Sequence, residues 1–175
     1  MRIHRIVTAI AAAFIALEGE ASAQAMFTGA IGNVFGGSAL STKSAWSVAI
    51  GGGGAHHIGS ELEYSETRRF FETADGRASG KVITLMPSLF VMVPVGPVQP
   101  YGIFGFGFIR QRTETTTGGV FSNLSNDDVG YSVGGGVVFK FASHAGVRAD
   151  FRHFKVRTSD GISFRRLTFG LVLGG

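Results

Sequence analysis

The sequence predicts an all-β protein, an eight-stranded antiparallel up-and-down transmembrane β-barrel that follows a cleaved signal peptide. Three observations lead to this fold class: an export-type N-terminus, period-two alternation through the rest of the chain, and 27 glycines among 175 residues, about twice the usual share. The chain has no cysteine, while 45% of its residues are hydrophobic and 16 are phenylalanine. This composition excludes a disulfide-stapled domain, a thiolate metal site and a disordered glycine-rich segment.

Residues 1–23 have the features of a signal peptide. A basic start precedes an apolar run over residues 6–17, and Ala21-Ser22-Ala23 supplies the small residues that a signal peptidase requires. The apolar run is shorter than the about 20 residues of a transmembrane helix. The alternative interpretation is an amphipathic N-terminal helix of the mature protein. We expect residues 24–175 to form a single mature domain.

Eight segments of the mature chain alternate between apolar and polar residues, as strands with unlike faces do. The first of them, within residues 26–35, has a phase that the pattern leaves open. Pro87 lies in the middle of a segment and lacks a ladder donor, so a bulge is expected there. Three connections are short, around residues 54–56, 95–97 and 143–144, and four are longer and polar, over residues 36–44, 66–80, 111–127 and 157–163. Short turns opposite longer loops are typical of a bacterial outer-membrane barrel.

The glycines indicate which face points inward. They share the parity of the charged residues, as Gly105 and Gly134 do. A solvated face gains nothing from glycine, whereas the interior of an eight-stranded barrel leaves little room for side chains. The opposite face, with Trp46, Val48 and Ile50 in one strand, suits hydrocarbon. A soluble lipocalin-like barrel with its apolar face inside is the less favoured alternative.

The inward parity carries seven charged residues in the predicted strands. They are Glu61, Glu63, Lys140, Arg148, Asp150, Arg152 and Arg166. Because an unpaired buried charge is strongly unfavourable, we expect these groups to form a salt-bridged network inside the barrel. The alternative is a gated ion pathway through the same charges.

Aromatic and basic residues near the predicted extracellular strand ends suggest contacts with the membrane surface. Trp46, Tyr64 and Tyr131 lie on the outward parity and are predicted to form an interfacial girdle. Four arginines are predicted to contact lipopolysaccharide phosphates from the extracellular loops through charge-assisted hydrogen bonds. They are Arg68, Arg69, Arg110 and Arg112.

Two segments resemble a known family. Pro100-Tyr101-Gly102-Ile103-Phe104-Gly105-Phe106-Gly107 resembles the Pro-Tyr-x-x-x-Gly-x-Gly fifth strand of small outer-membrane β-barrels of the OmpA-like and opacity-protein type, and residues 146–152 resemble their seventh strand. The resemblance covers residues 25–175. It implies an exported monomeric barrel of the bacterial outer membrane, with membrane lipid and the barrel-assembly machinery as partners. The sequence ends in Leu171-Val172-Leu173-Gly174-Gly175, without the terminal aromatic residue that this machinery commonly reads.

No pattern in the sequence indicates an enzyme, and we expect no cofactor, no bound metal and no nucleic acid. The glycine run of residues 51–54 lacks the Lys-Ser/Thr of a phosphate-binding loop, and His56-His57 is interpreted as part of an exposed turn. The expected function is a structural or surface-interaction role in the outer membrane, through membrane integrity, adhesion or lipopolysaccharide contact. The alternative is a narrow pore for ions or small solutes.

Overall fold

The described strands close into one antiparallel barrel in which neighbours in sequence are neighbours in space and β1 pairs with β8. The computed structural model describes residues 24–37, 42–53, 57–72, 78–117, 120–157 and 163–174. The strands are β1 (Gln24–Phe35), β2 (Lys43–Gly53), β3 (Ile58–Glu72), β4 (Ala78–Met92), β5 (Val98–Thr117), β6 (Val120–Ala142), β7 (Ala145–Val156) and β8 (Ser163–Gly174). This confirms the predicted fold class. The signal peptide lies outside the described residues and stays a prediction.

The two ends of the barrel differ. One end, called here the turn end, holds the start of β1, the end of β8 and the connections β2–β3, β4–β5 and β6–β7. The opposite end, called the hairpin end, holds the other four connections. Within the described ranges, no helix is long and apolar enough to cross a membrane.

The outer wall is apolar, as the alternation predicts. Phe104, Phe106 and Phe169 are each more than 50% exposed on it, whereas exposed apolar patches on soluble monomers are small. The phase of β1, which the pattern left open, is set by its pairing with both neighbours. Phe27 and Ile31 face outward, and Thr28 and Val34 face the lumen.

The segments predicted as the two longest loops are largely β-structure. β3 continues to Glu72 and β4 begins at Ala78, while β5 continues to Thr117 and β6 begins at Val120. The predicted loops over residues 66–80 and 111–127 are therefore corrected to hairpins that extend the strands. With 20 and 23 residues, β5 and β6 are about twice as long as a membrane-spanning strand requires.

The bulge predicted at Pro87 is absent, and this prediction was wrong. β4 keeps one register with β5 on both sides of the proline, from Leu85↔Phe108 to Ser88↔Gly105. Pro87 is paired with Leu62 on β3, so the ladder is interrupted toward β5 without an inserted residue. In the β3–β4 pair, the register shifts instead between Thr67 and Phe71.

Inward side chains fill the described lumen in three successive layers. At the hairpin end lies an apolar layer, formed by Val34, Ala45, Val82, Met86, Ile109, Phe154, Val156 and Phe164. A charged layer lies in the middle. At the turn end lies a second apolar layer, formed by Phe90, Tyr101, Ile103, Val138 and Val172. The sequence predicted the charged layer but not the two apolar layers.

Candidate functional site in the lumen and on the outer wall

The charged layer consists of three arginines and three carboxylates, so its formal charge is zero. Its members are Glu61 and Glu63 on β3, Arg148, Asp150 and Arg152 on β7, and Arg166 on β8. All six are at most 6% exposed. The structure therefore brings together six of the seven residues predicted to form an interior charge network.

The ion pairs of this layer cross the lumen. The Glu61 carboxylate accepts hydrogen bonds from Arg148 Nη1 at 2.7 Å and from Arg152 Nη2 at 2.5 Å. Because β3 and β7 lie four strands apart in an eight-stranded ring, these bonds join opposite walls. Arg166 Nη2 donates to both oxygens of Glu63 at 2.7 Å. Charge-assisted hydrogen bonds, which are stronger than bonds between neutral groups, thus connect opposite walls of the lumen.

Tyr101 is a member of the site that the sequence analysis missed. Its hydroxyl donates to Asp150 Oδ2 at 2.6 Å and accepts from Arg148 Nε at 2.6 Å. An ideal Cβ on Gly136 would overlap this hydroxyl, so the glycine provides the space. The available signal was parity, because Tyr101 shares the inward parity of Gly105, whereas the predicted girdle residues lie on the outward parity.

The charged layer leaves little open space. A cavity of about 10 Å³ lies beside it, lined in part by Thr28, Arg152 and Thr168, which is room for about one water molecule. Arg152 Nη1 and the Nε and Nη1 of Arg166 have no acceptor among the described residues. On the hairpin side, the rings of Phe154 and Phe164 stack with their centroids 4.8 Å apart. The Arg166 guanidinium carbon lies 4.9 Å from the centroid of the Phe154 ring. The described lumen is therefore closed at this level.

Lys140 does not belong to the charged layer, and its prediction as a network member is corrected. It faces inward at the turn end of β6, where it lines a cavity of about 200 Å³ with Phe90, Met92 and Val138. No ion pair joins it to Glu61, Glu63 or Asp150 of that layer. A lysine at the mouth of a narrow barrel reaches solvent and needs no buried partner.

On the outer wall, Trp46 and Tyr64 form one aromatic pair with centroids 5.6 Å apart. The cross-strand partner of Trp46 on β3 is Glu66, which receives Arg68 Nε at 2.9 Å and lies 3.8 Å from Lys81 Nζ. The aromatic pair therefore adjoins the first charged residues of the wall, as an interfacial position requires. Tyr131 lies on the other side of the barrel, next to Lys155 on β7.

The four arginines predicted to contact phosphates differ in their surroundings. Arg68 is paired with Glu66. Arg110 is partly buried on β5 and has an interaction partner within the chain. The side chains of Arg69 and Arg112 lie outside the described residues. These arginines are not shown to form one site, and their contact with lipopolysaccharide stays a prediction.

The comparison with known families agrees with this geometry. Residues 6–174 match the model of the outer membrane protein beta-barrel domain. This chain belongs to that family. The match spans almost the whole chain, and it confirms the resemblance inferred from residues 100–107 and 146–152.

Solved structures of small outer-membrane barrels are similar in fold. Neisserial surface protein A is 18% identical with a TM-score of 0.60, over 86% of this chain and 96% of that one. Ail, the attachment invasion locus protein of Yersinia pestis, is 14% identical with a TM-score of 0.60, over 89% and 99%. OprG of Pseudomonas aeruginosa is 12% identical with a TM-score of 0.59, over 90% and 98%. No curated protein matches the sequence significantly.

The described residues provide surfaces for binding and a charged layer for structural support. No group of three His, Cys, Asp or Glu side chains among them is arranged to hold a metal ion. The carboxylates of the charged layer are engaged by arginines and lie behind apolar layers at both ends. The surfaces accessible to a partner are the outer wall, the extended hairpins and the cavity at the turn end.

Proposed function

We propose that this family member is a closed outer-membrane barrel that acts through its outer wall and its extended hairpins. In this proposal it stabilises the membrane and contacts the cell's surroundings or surface glycolipid. The hairpin end faces the outside of the cell and the turn end faces the periplasm. The proposal assigns the chain no catalytic activity and no cofactor.

The observation that supports this proposal is the occlusion of the lumen. The ion pairs from Glu61 to Arg148 and Arg152 bridge opposite walls, and an apolar layer lies on each side of them. An ion that crossed would have to break buried pairs and leave uncompensated charges, which costs several kcal/mol. A pore function, the alternative from the sequence, has no open path in the described lumen to support it.

The extended hairpins are the second element of the proposal. β3–β4 and β5–β6 continue past the apolar part of the wall, and the β5–β6 extension is rich in threonine, serine and asparagine. Strands held on a rigid barrel present such polar surface to partners with little loss of order. Among barrels of this fold, Ail is named as an attachment invasion locus protein. Adhesion is therefore one form of surface contact that the proposal includes.

Shortening the two extended hairpins tests this proposal. Residues 69–77 and 113–125 are each replaced by a short turn, in separate variants. We expect both variants to reach the outer membrane and to migrate differently on gels before and after boiling. Attachment of cells to surfaces, or their resistance to detergent, should fall. Normal attachment and resistance in both folded variants would contradict a role for the hairpins.

A further inference from the structure

A basic patch lies on the outer wall of β7 and β8 near the hairpin end, on the opposite side of the barrel from Arg68 on β3. It consists of Lys155, Arg157 and Arg165, all exposed, with the half-buried His153 beside them. His153 is the direct cross-strand partner of Arg165, and Lys155 is paired with Ser163. The backbone N–H of Arg157 donates to Val129 O on β6 at 3.0 Å, which places it beside the same surface.

These cations are not neutralised by the described part of the chain. No described carboxylate forms an ion pair with Lys155, Arg157 or Arg165. On the opposite wall, by contrast, Glu66 lies between Arg68 and Lys81. Like charges on neighbouring strands destabilise a sheet when nothing separates them. The basic patch therefore has the charge that an external anion would complement.

An apolar groove adjoins the basic patch. It has a volume of about 660 Å³ and is lined by Phe104, Phe106, Tyr131, Lys155, Val156 and Arg157. Tyr131 lies between Phe106 and Lys155 in the cross-strand row. Phe104 precedes Phe106 on β5 and therefore lies further toward the turn end. The groove thus runs from cationic side chains near the hairpin end to phenylalanines within the apolar band.

We propose that this groove binds the phosphorylated glycolipid anchor of lipopolysaccharide in the outer leaflet. A phosphate of the headgroup contacts Lys155, Arg157 and Arg165, and an acyl chain lies along Phe104 and Phe106. Arginine and lysine bind phosphate through charge-assisted hydrogen bonds. Because the groove faces the membrane, an acyl chain can lie in it without leaving the apolar part of the bilayer. The inference rests on the proposed function for the orientation of the hairpin end.

The test measures binding of purified lipid A to the folded barrel in neutral detergent by native mass spectrometry. The variant K155Q/R165Q removes two charges from the basic patch, and the matched control R68Q/K81Q removes two charges from the Glu66 side. Because a hydrogen bond to a charged group contributes about 1.5–3 kcal/mol, we expect the first variant to weaken binding about tenfold or more. The control should change it less than about twofold. Equal loss in both variants, or no loss in either, would overturn the proposal.

Two further lipids identify the ligand chemistry. Dephosphorylated lipid A should bind the wild-type protein at least about tenfold more weakly if phosphate is the recognised group. Phosphatidylglycerol should also bind more weakly, and binding equal to that of lipid A would overturn the assignment to the glycolipid. A gel-mobility shift on boiling verifies that each variant is folded, and R165Q alone replaces the double variant if folding fails. The proposed closed barrel is tested separately by conductance, so either idea can fail without the other.

Discussion

Glu61 on β3 and Arg148 on β7 form an ion pair across the lumen, with 2.7 Å between Oε2 and Nη1, although they lie 87 positions apart in sequence. The pair joins two walls that share no hydrogen-bonded edge. Arg152 and Asp150 extend it on β7, and Tyr101 extends it to β5. The charged layer therefore fixes the cross-section of the barrel as well as filling it.

Substituting Glu61 should destabilise the barrel strongly. In E61Q, two arginines lose a carboxylate and a positive charge remains buried without compensation, which costs about 3–5 kcal/mol. The free energy of unfolding, measured by urea titration of the barrel in lipid vesicles, provides the check. The matched control is R68Q, because the Arg68 side chain is 78% exposed and such pairs contribute about 0–1 kcal/mol. Equal destabilisation by both variants would contradict the claim that the buried ion pairs of Glu61 stabilise the barrel more than the exposed pair of Arg68.

Adding one methyl group beside Tyr101 should also destabilise the barrel. A Cβ at position 136 would overlap the Tyr101 hydroxyl and the Ala149 carbonyl oxygen, so G136A displaces the tyrosine from Asp150 and Arg148. Overpacking of this kind costs about 1–3 kcal/mol. The outward Gly102 has no atom within 4 Å of an ideal Cβ, and G102A is expected to leave the urea midpoint unchanged. A larger loss in G102A than in G136A would contradict the packing described for the lumen.

Trp46 is the single tryptophan of the chain, and its fluorescence reports its depth in a bilayer. Because the Trp46–Tyr64 pair adjoins Glu66, Arg68 and Lys81, it should lie at the interface. Lipids brominated near the headgroup should quench Trp46 more than lipids brominated near the chain end. In W46F/F169W the order should reverse, since Phe169 lies in the middle of the apolar part of β8. If lipids brominated near the chain end quench Trp46 more strongly than they quench the tryptophan at position 169, the interfacial position of Trp46 is contradicted.

Alternation in the sequence was sufficient to predict which residues face the lumen. Arg148, Asp150 and Arg152 occupy every second position of β7, and Ala149 and Phe151 occupy the positions between them. A closed barrel turns this local pattern directly into inside and outside, because no third environment exists at membrane depth. The same logic could not fix the phase of β1, where glycine, alanine and threonine fit either face.

The parts that the sequence did not predict depend on depth along the barrel. Phe154 and Phe164 share the inward parity of Arg152 and Arg166, and only the cross-strand register shows that they form a separate layer above the charges. The same parity places Lys140 with the charged residues, although it lies at the turn end. Around Thr115 and Asn123 both faces of the chain are polar, which favours loops, although the structure has strands there. Strands that leave the membrane lose the apolar face, so alternation no longer reveals them.

The closed lumen is the central claim, and planar-bilayer recording of the wild-type barrel tests it most directly. Insertion is verified first by the gel-mobility shift of the recovered protein. The account predicts no conductance steps above the lipid background, because the Glu61–Arg148–Arg152 pairs and both apolar layers occlude the path. Steady conductance steps in the wild type that change in R152Q would contradict it.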